Sequence, residues 1–225
     1  MRLLILWFLA LLLLVPACPA PAATLEQVLA AMDKSGPAFR DMTASIKRVE
    51  YVAVLKETSE EQGAVRIKRL RPGSFQMLIE IAKPAAKTVS FEKSSVRIYY
   101  PKVLLVQEYD IGKMRSLVDG FLLLGFGATG EDLKRNYALK VIGEEQVAGE
   151  TATRLELLPK SAAVADQMKK AELWITVDGH PVQQKVYLGA QEMTITYTNV
   201  RINSNFPDSA LQLKLPSKVK REKMQ

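Results

Sequence analysis

Ala64-Val65-Arg66-Ile67-Lys68-Arg69-Leu70-Arg71-Pro72-Gly73-Ser74-Phe75-Gln76-Met77-Leu78-Ile79-Glu80-Ile81 alternates twice. Val65 and Ile67 alternate with Arg66 and Lys68. After the interruption at Arg71-Pro72-Gly73, Phe75, Met77, Ile79 and Ile81 alternate with Gln76, Leu78 and Glu80. Successive side chains of a strand point to opposite faces, so a period of two marks a strand with one buried face. Pro presets one turn dihedral and Gly accepts a positive φ, so the Pro-Gly pair reads as a tight turn. The run is two antiparallel strands joined by a hairpin.

The same grammar extends both ways. Thr43–Leu55 is long and rich in β-branched residues, and Glu57–Gly63 reads as a polar turn. Short strands follow at Thr88–Phe91, Val96–Tyr100 and Val103–Tyr109, punctuated by Pro84, Glu92–Ser95 and Pro101. Later candidates are Tyr137–Ile142, Thr151–Leu158, Leu173–Val177, Val182–Leu188 and Met193–Val200, with Asp178-Gly179 and Gly189-Ala190 at hairpin positions. Many short, evenly spaced strands without a βαβ alternation predict a mainly β fold with short helices. The expected form is a curled antiparallel sheet making an open β-barrel.

Two segments depart from the strand pattern. Thr24 with Gln27 fits a capping box, and Leu25, Val28, Leu29 and Met32 share a helical face, stopped by Ser35-Gly36-Pro37. In Met114–Leu124 the apolar residues Met114, Leu117, Val118, Phe121 and Leu122 also follow helical spacing, with Gly120, Gly125, Gly127 and Gly130 as joints. A further helical turn begins at Thr129, where Asp132 completes a capping signature. An apolar helix with glycine joints beside a curled sheet is either a movable lid or a plain packing helix.

The N-terminus addresses the chain. Arg2, the apolar run Leu3–Val15 and the small residues through Ala23 make residues 1–23 a secretory signal, and Leu3–Val15 is too short to span a bilayer as a helix. Residues 24–225 are then one domain outside the cytoplasm. Cys18 is the only cysteine, which rules out an internal disulfide. Val15-Pro16-Ala17-Cys18 also places it near a lipidation position, with Pro16 fitting poorly. Acylation there would anchor the protein.

The net charge is +7, and loss of Arg2 with the signal leaves +6. Lys68, Arg69 and Arg71 cluster, and Lys214, Lys218, Lys220, Arg221 and Lys223 make a basic tail. In an exported protein these face an anionic membrane or simply solvent, not nucleic acid. The sole histidine, His180, lies in the Asp178-Gly179-His180-Pro181 turn and reads as a solvated loop residue. Without a second histidine no transition-metal site is expected. Glu60-Glu61, Glu131-Asp132 and Glu144-Glu145 are sequence neighbours and do not form an acid–base pair by spacing. No Gly-x-Ser-x-Gly elbow is present. These residues predict neither an enzyme nor a cofactor.

Several stretches resemble the periplasmic lipoprotein carriers of the LolA type. They are Lys68-Arg69-Leu70-Arg71-Pro72-Gly73-Ser74-Phe75, then Glu92-Lys93-Ser94-Ser95-Val96-Arg97-Ile98-Tyr99-Tyr100-Pro101, and Leu157-Leu158-Pro159-Lys160. To these are added Met193–Val200 with Asn199, and Leu211-Gln212-Leu213-Lys214-Leu215-Pro216 as a closing strand. The resemblance implies an open barrel with a helical lid, whose apolar cavity holds the acyl chains of lipoproteins crossing the periplasm. It implies a monomer that takes acylated lipoproteins from an inner-membrane release complex and passes them to an outer-membrane acceptor. The family's Arg before Pro holds the empty cavity shut through lid backbone groups and maps to Arg71. The candidate cavity residues are Phe75, Met77, Ile79, Ile98 and Tyr100, with Leu117, Val118, Phe121 and Leu122 on the lid. Met77 and Ile98 stand where the family commonly has Trp, which makes the expected cavity more aliphatic and softer. An anchored receptor and a lipid- or lipoprotein-sensing module are the rival readings of the same fold.

Overall fold

The computed structural model describes residues 23–71, 74–112 and 124–224. Cys18, the Pro72-Gly73 turn and the expected lid residues Leu117, Val118, Phe121 and Leu122 lie outside the described residues.

Helix α1 (Leu25–Ala38) starts where the sequence says it should, but it runs through Ser35-Gly36-Pro37, where a stop was expected, and ends at the Phe39 cap. The Thr24 side chain accepts from the Gln27 N–H, and the Gln27 side chain accepts from the Thr24 N–H at 2.8 Å. The helix buries Val28, Leu29 and Met32, each contributing about 1.5–3 kcal/mol by leaving water. Twelve strands then form one sheet. The first six are β1 (Asp41–Val52), β2 (Glu57–Arg71), β3 (Ser74–Lys83), β4 (Lys87–Glu92), β5 (Ser95–Tyr100) and β6 (Leu105–Asp110). After α2 (Gly130–Asn136) come β7 (Tyr137–Val147), β8 (Glu150–Pro159), α3 (Ala162–Gln167), β9 (Lys170–Thr176), β10 (Pro181–Leu188) and β11 (Gln191–Ile202), with β12 (Lys220–Met224) last.

The spatial order is β12-β6-β5-β4-β3-β2-β1-β11-β10-β9-β8-β7, and the two end strands do not pair. The sheet is curled and open, a mainly β half-barrel. Its two halves, β1–β6 and β7–β11, are joined where β1 pairs antiparallel with β11.

Three further expectations are corrected. Glu57–Gly63 is strand, because the first residues of β2 pair with the end of β1 beyond the reach of β3. Pairing on one side only leaves Glu57–Glu60 exposed, which is why they read as a turn. Leu211–Pro216 is not the closing strand. A 3-10 turn (Asp208–Leu211) packs against β2 and β3, and the strand is β12, parallel to β6. His180 is half-buried, not solvated, because its turn sits under α1, where the Ser35 hydroxyl donates to the Gly179 carbonyl at 3.0 Å. A Cβ on Gly179 would lie 2.5 Å from the Ala31 backbone. Burial pushes the His180 imidazole below its ordinary pKa, with Asp178 opposing.

The inner face, on which α1 lies, carries two cores. Under α1, Leu155, Leu157, Leu173, Ile175 and Val186 of β8–β10 pack with Leu29, Met32 and Leu133. In the other half Ile46, Val65, Ile67, Met77 and Ile81 pack with Phe39 and Phe126.

Candidate functional site

The inner face of the β1–β6 half forms a trough. Residues in direct register share a face, and Val65, Ile79, Val89 and Ile98 are successive partners from β2 to β5. Ile67, Met77, Phe91 and Val96 form a second such row. Phe75, Met77, Ile79, Ile98 and Tyr100 therefore all lie on one face. Phe75 and Met77 are buried, while Ile79, Ile98 and Tyr100 are half-buried. Toward β6 the face stays half-buried through Gln107 and Tyr109.

Arg69 organises one end of this trough. Its Nη2 donates to the Gly36 carbonyl at the end of α1 and to the Gly127 carbonyl, each at 2.9 Å. The guanidinium also lies 5.7 Å from the Phe39 ring centre and 5.5 Å from that of Phe75. Burial pushes its pKa below the usual arginine value. One side chain thus ties the sheet, the end of α1 and the segment before α2 together. The family resemblance assigns the lid-holding role to Arg71 instead, and the lid lies outside the described residues. Arg69 continues the inward alternation of Val65 and Ile67, and the β2–β3 register becomes irregular only beyond it, where Arg71 is exposed. Arg69 was visible in the basic cluster, but its chain-distant partners were not.

Aromatic rings close the same end. Phe75 and Phe39 are 6.3 Å apart, Phe39 and Phe126 are 6.2 Å apart, and Phe126 meets Tyr197 of β11 edge-on at 5.0 Å. Beneath them the Tyr197 hydroxyl donates to Gln184 Oε1 at 3.0 Å, and Gln184 Nε2 donates to the Leu124 carbonyl. Leu124–Phe126 is thereby fixed to the sheet by a buried polar pair that the sequence did not announce.

The far end of the trough is charged. Register places Arg48, Glu61 and Lys87 on the inner face beside Ile195 and Ile81. Arg48 pairs with Glu61 at 2.8 Å and Glu50 at 2.5 Å, and Lys87 pairs with Glu61 at 2.5 Å. Burial raises the Glu61 carboxyl, but the bonds from Lys87 and Arg48 outweigh it and hold the pKa below its ordinary value. From Arg69 to Glu61 along β2 is about 26 Å at strand rise, and the inward residues between them, Ile67, Val65 and Gly63, are all apolar. The geometry is an elongated apolar trough, tied to the end of α1 and to Gly127 at one end and rimmed by neutralised charge at the other.

In the other half, a hollow of about 460 Å³ opens between α1 and β7–β9, lined by Val28, Ala31, Glu144, Thr151, Thr153 and Ile175 among others. Its threonines and Glu144 make it more polar than the trough.

No protein-family model matches the sequence, and no curated protein matches it. Solved structures do. MucB is 16% identical with a TM-score of 0.54, over 87% of this chain and 65% of that one, so the chain spans about two thirds of MucB's length. An uncharacterized conserved protein from Thermus thermophilus is 12% identical with a TM-score of 0.51, over 88% of this chain and 98% of that one. A LolA superfamily protein from Nitrosomonas europaea is 13% identical with a TM-score of 0.40, over 85% and 99%. The chain has the fold of MucB and of the Thermus protein, and LolA superfamily proteins are among the solved structures it is similar to.

Proposed function

We propose that this protein is an extracytoplasmic carrier that holds the acyl chains of lipoproteins in the trough and performs no covalent chemistry. The observation that carries the reading is the contrast between the two halves. On the inner face of β8–β10, Leu155, Leu157, Leu173 and Val186 are buried with Leu29 and Met32 of α1, whereas the inner face of β4 and β5 carries the half-buried apolar side chains Val89, Phe91, Val96 and Ile98. A long acyl chain exposed to water is costly, at about 0.8 kcal/mol per methylene, so crossing an aqueous compartment requires such a face. Release requires that the enclosure open, and Arg69 suits this because its bonds run to backbone carbonyls on two separate elements. Residues 1–23 serve as the export signal, or Cys18 as an acylation point, and Leu117, Val118, Phe121 and Leu122 serve as the lid. A donor complex in the inner membrane and an acceptor in the outer membrane complete the path.

Native mass spectrometry of the protein purified from its own cell envelope, with extraction of bound lipid, tests this. Co-purified acylated lipoprotein supports the carrier. Phospholipid alone points to a lipid shuttle or sensor, and an empty trough with a bound protein partner overturns the carrier in favour of a regulatory module.

A further inference from the structure

One end of the sheet, where β1 and β5 finish, carries two turns of like composition. The turn between β1 and β2 exposes Val54 at 79% and Leu55 at 63%, followed by Lys56. The turn between β5 and β6 exposes Val103 at 64% and Leu104 at 47%, preceded by Lys102. Each holds a non-glycine residue in the left-handed region, Lys56 at φ 53° and Leu104 at φ 49°. That conformation is uncommon for a leucine and disfavoured by its Cβ. It is kept by the Leu104 carbonyl, which accepts from the Lys220 N–H at 2.8 Å. Leu104 thus stands exposed at a turn whose backbone is fixed by β12.

The basic tail joins this end. Lys220 is in register with Leu105, so Lys218 and Lys220 lie beside the second turn. Residues 214–224 carry Lys214, Lys218, Lys220, Arg221 and Lys223 against the single carboxylate Glu222. Arg221 pairs with Glu108 and Lys220 with Glu222, while Lys102 and Lys218 form no ion pair among the described residues.

The geometry points to this end of the barrel as a docking surface for an anionic phospholipid membrane, with Val54, Leu55, Val103 and Leu104 entering the interface and the lysines facing the headgroups. Two narrow apolar tips separated by β3 and β4 do not make the continuous, well-packed face that a stable protein partner requires, where about 1,000 Å² is buried over both sides together. Apolar side chains flanked by lysine are what an interfacial membrane contact uses. The inference extends the carrier reading, since the charged rim of the trough lies at this same end. Membrane contact itself does not depend on cargo.

Sedimentation of the full chain with vesicles of phosphatidylglycerol and phosphatidylethanolamine, compared with phosphatidylcholine vesicles, tests it. The unaltered protein is expected to bind the anionic vesicles about tenfold more tightly, with binding weakened by salt. Val103→Ser with Leu104→Asn keeps a residue that tolerates the left-handed backbone, so the turn survives. This variant, and Lys102→Glu with Lys218→Glu, should each lose about tenfold on anionic vesicles at unchanged melting temperature. Residues 1–22 are common to all proteins compared. Equal binding by altered and unaltered proteins, or no preference for anionic vesicles, overturns the proposal. Native mass spectrometry on the same preparations keeps the two readings apart. Lost vesicle binding with cargo retained supports the docking surface, and intact vesicle binding without cargo removes only the carrier.

Discussion

Gly127 and Arg69 are closely fitted to each other. The Gly127 carbonyl accepts from Arg69 Nη2 at 2.9 Å, and a Cβ on Gly127 would overlap that same nitrogen. Gly127 also has φ +70°, where a side chain is strained. Gly127→Ala should lower stability by about 2–3 kcal/mol, measured by urea unfolding. Gly189→Ala, with φ +62° and open space around it, isolates the backbone cost and should lose about 1 kcal/mol. Equal losses at both sites would refute the close fit.

Arg69→Leu removes the donor to Gly36 and Gly127 and should cost about 1–3 kcal/mol. In the carrier it should also change cargo retention, read as the amount of acylated species co-purified. Arg71→Leu, on an exposed side chain, should stay within about 0.5 kcal/mol and leave cargo unaltered. A reversed pattern would return the pin to Arg71.

Burial pushes the Tyr197 hydroxyl well above its ordinary pKa. In the unfolded chain tyrosine ionises near 10, so this contribution is complete below that pH and is lost as pH rises above it. Between pH 10 and 11.5 the unaltered protein should lose stability more steeply than Tyr197→Phe, by up to about 1.4 kcal/mol per pH unit. Superimposable pH profiles of the urea midpoint would show that the hydroxyl is not held neutral.

On the outer face, Glu172 has a side chain only 2% exposed and pairs with Arg154 and Lys170, each at 2.9 Å. Burial acts to raise its carboxyl, but Lys170 and Arg154 outweigh it and lower the pKa. The stabilisation is therefore present above the unfolded value, about 4.3, and is lost as pH falls through the lower folded value. Glu172→Gln should cost about 1–3 kcal/mol at neutral pH and flatten the acid limb of the stability curve, measured from pH 6 down to 3.

What was legible in the sequence was local. The capping boxes at Thr24 and Thr129 lie within four residues, and both helices begin there. The alternation around Val65 and Phe75 is that of two paired strands, β2 and β3. Illegible features depended on distant partners. Glu57–Glu60 look like a turn until β1 is placed beside them. Arg71 comes from the Arg-Pro of the family resemblance, whereas Arg69 continues the inward alternation of Val65 and Ile67 and is singled out only by its chain-distant partners Gly36 and Gly127. The Gln184–Tyr197 pair offered no signal, since in Gln183-Gln184-Lys185 each residue looks like an outward polar side chain.

The join between β1 and β11 bears on how the chain assembles. Apart from β12, the other strand pairs are sequential neighbours that can form as their segments emerge, but Ser45 and Asn199, bonded across this join, are 154 residues apart in the chain. Contacts at such separation form late, because the intervening chain must first be ordered. Until then the trough has only one wall, and Ile46 of β1 lacks its neighbour Tyr197 of β11. The interval before this closure is when the nascent protein most needs shielding from its own kind.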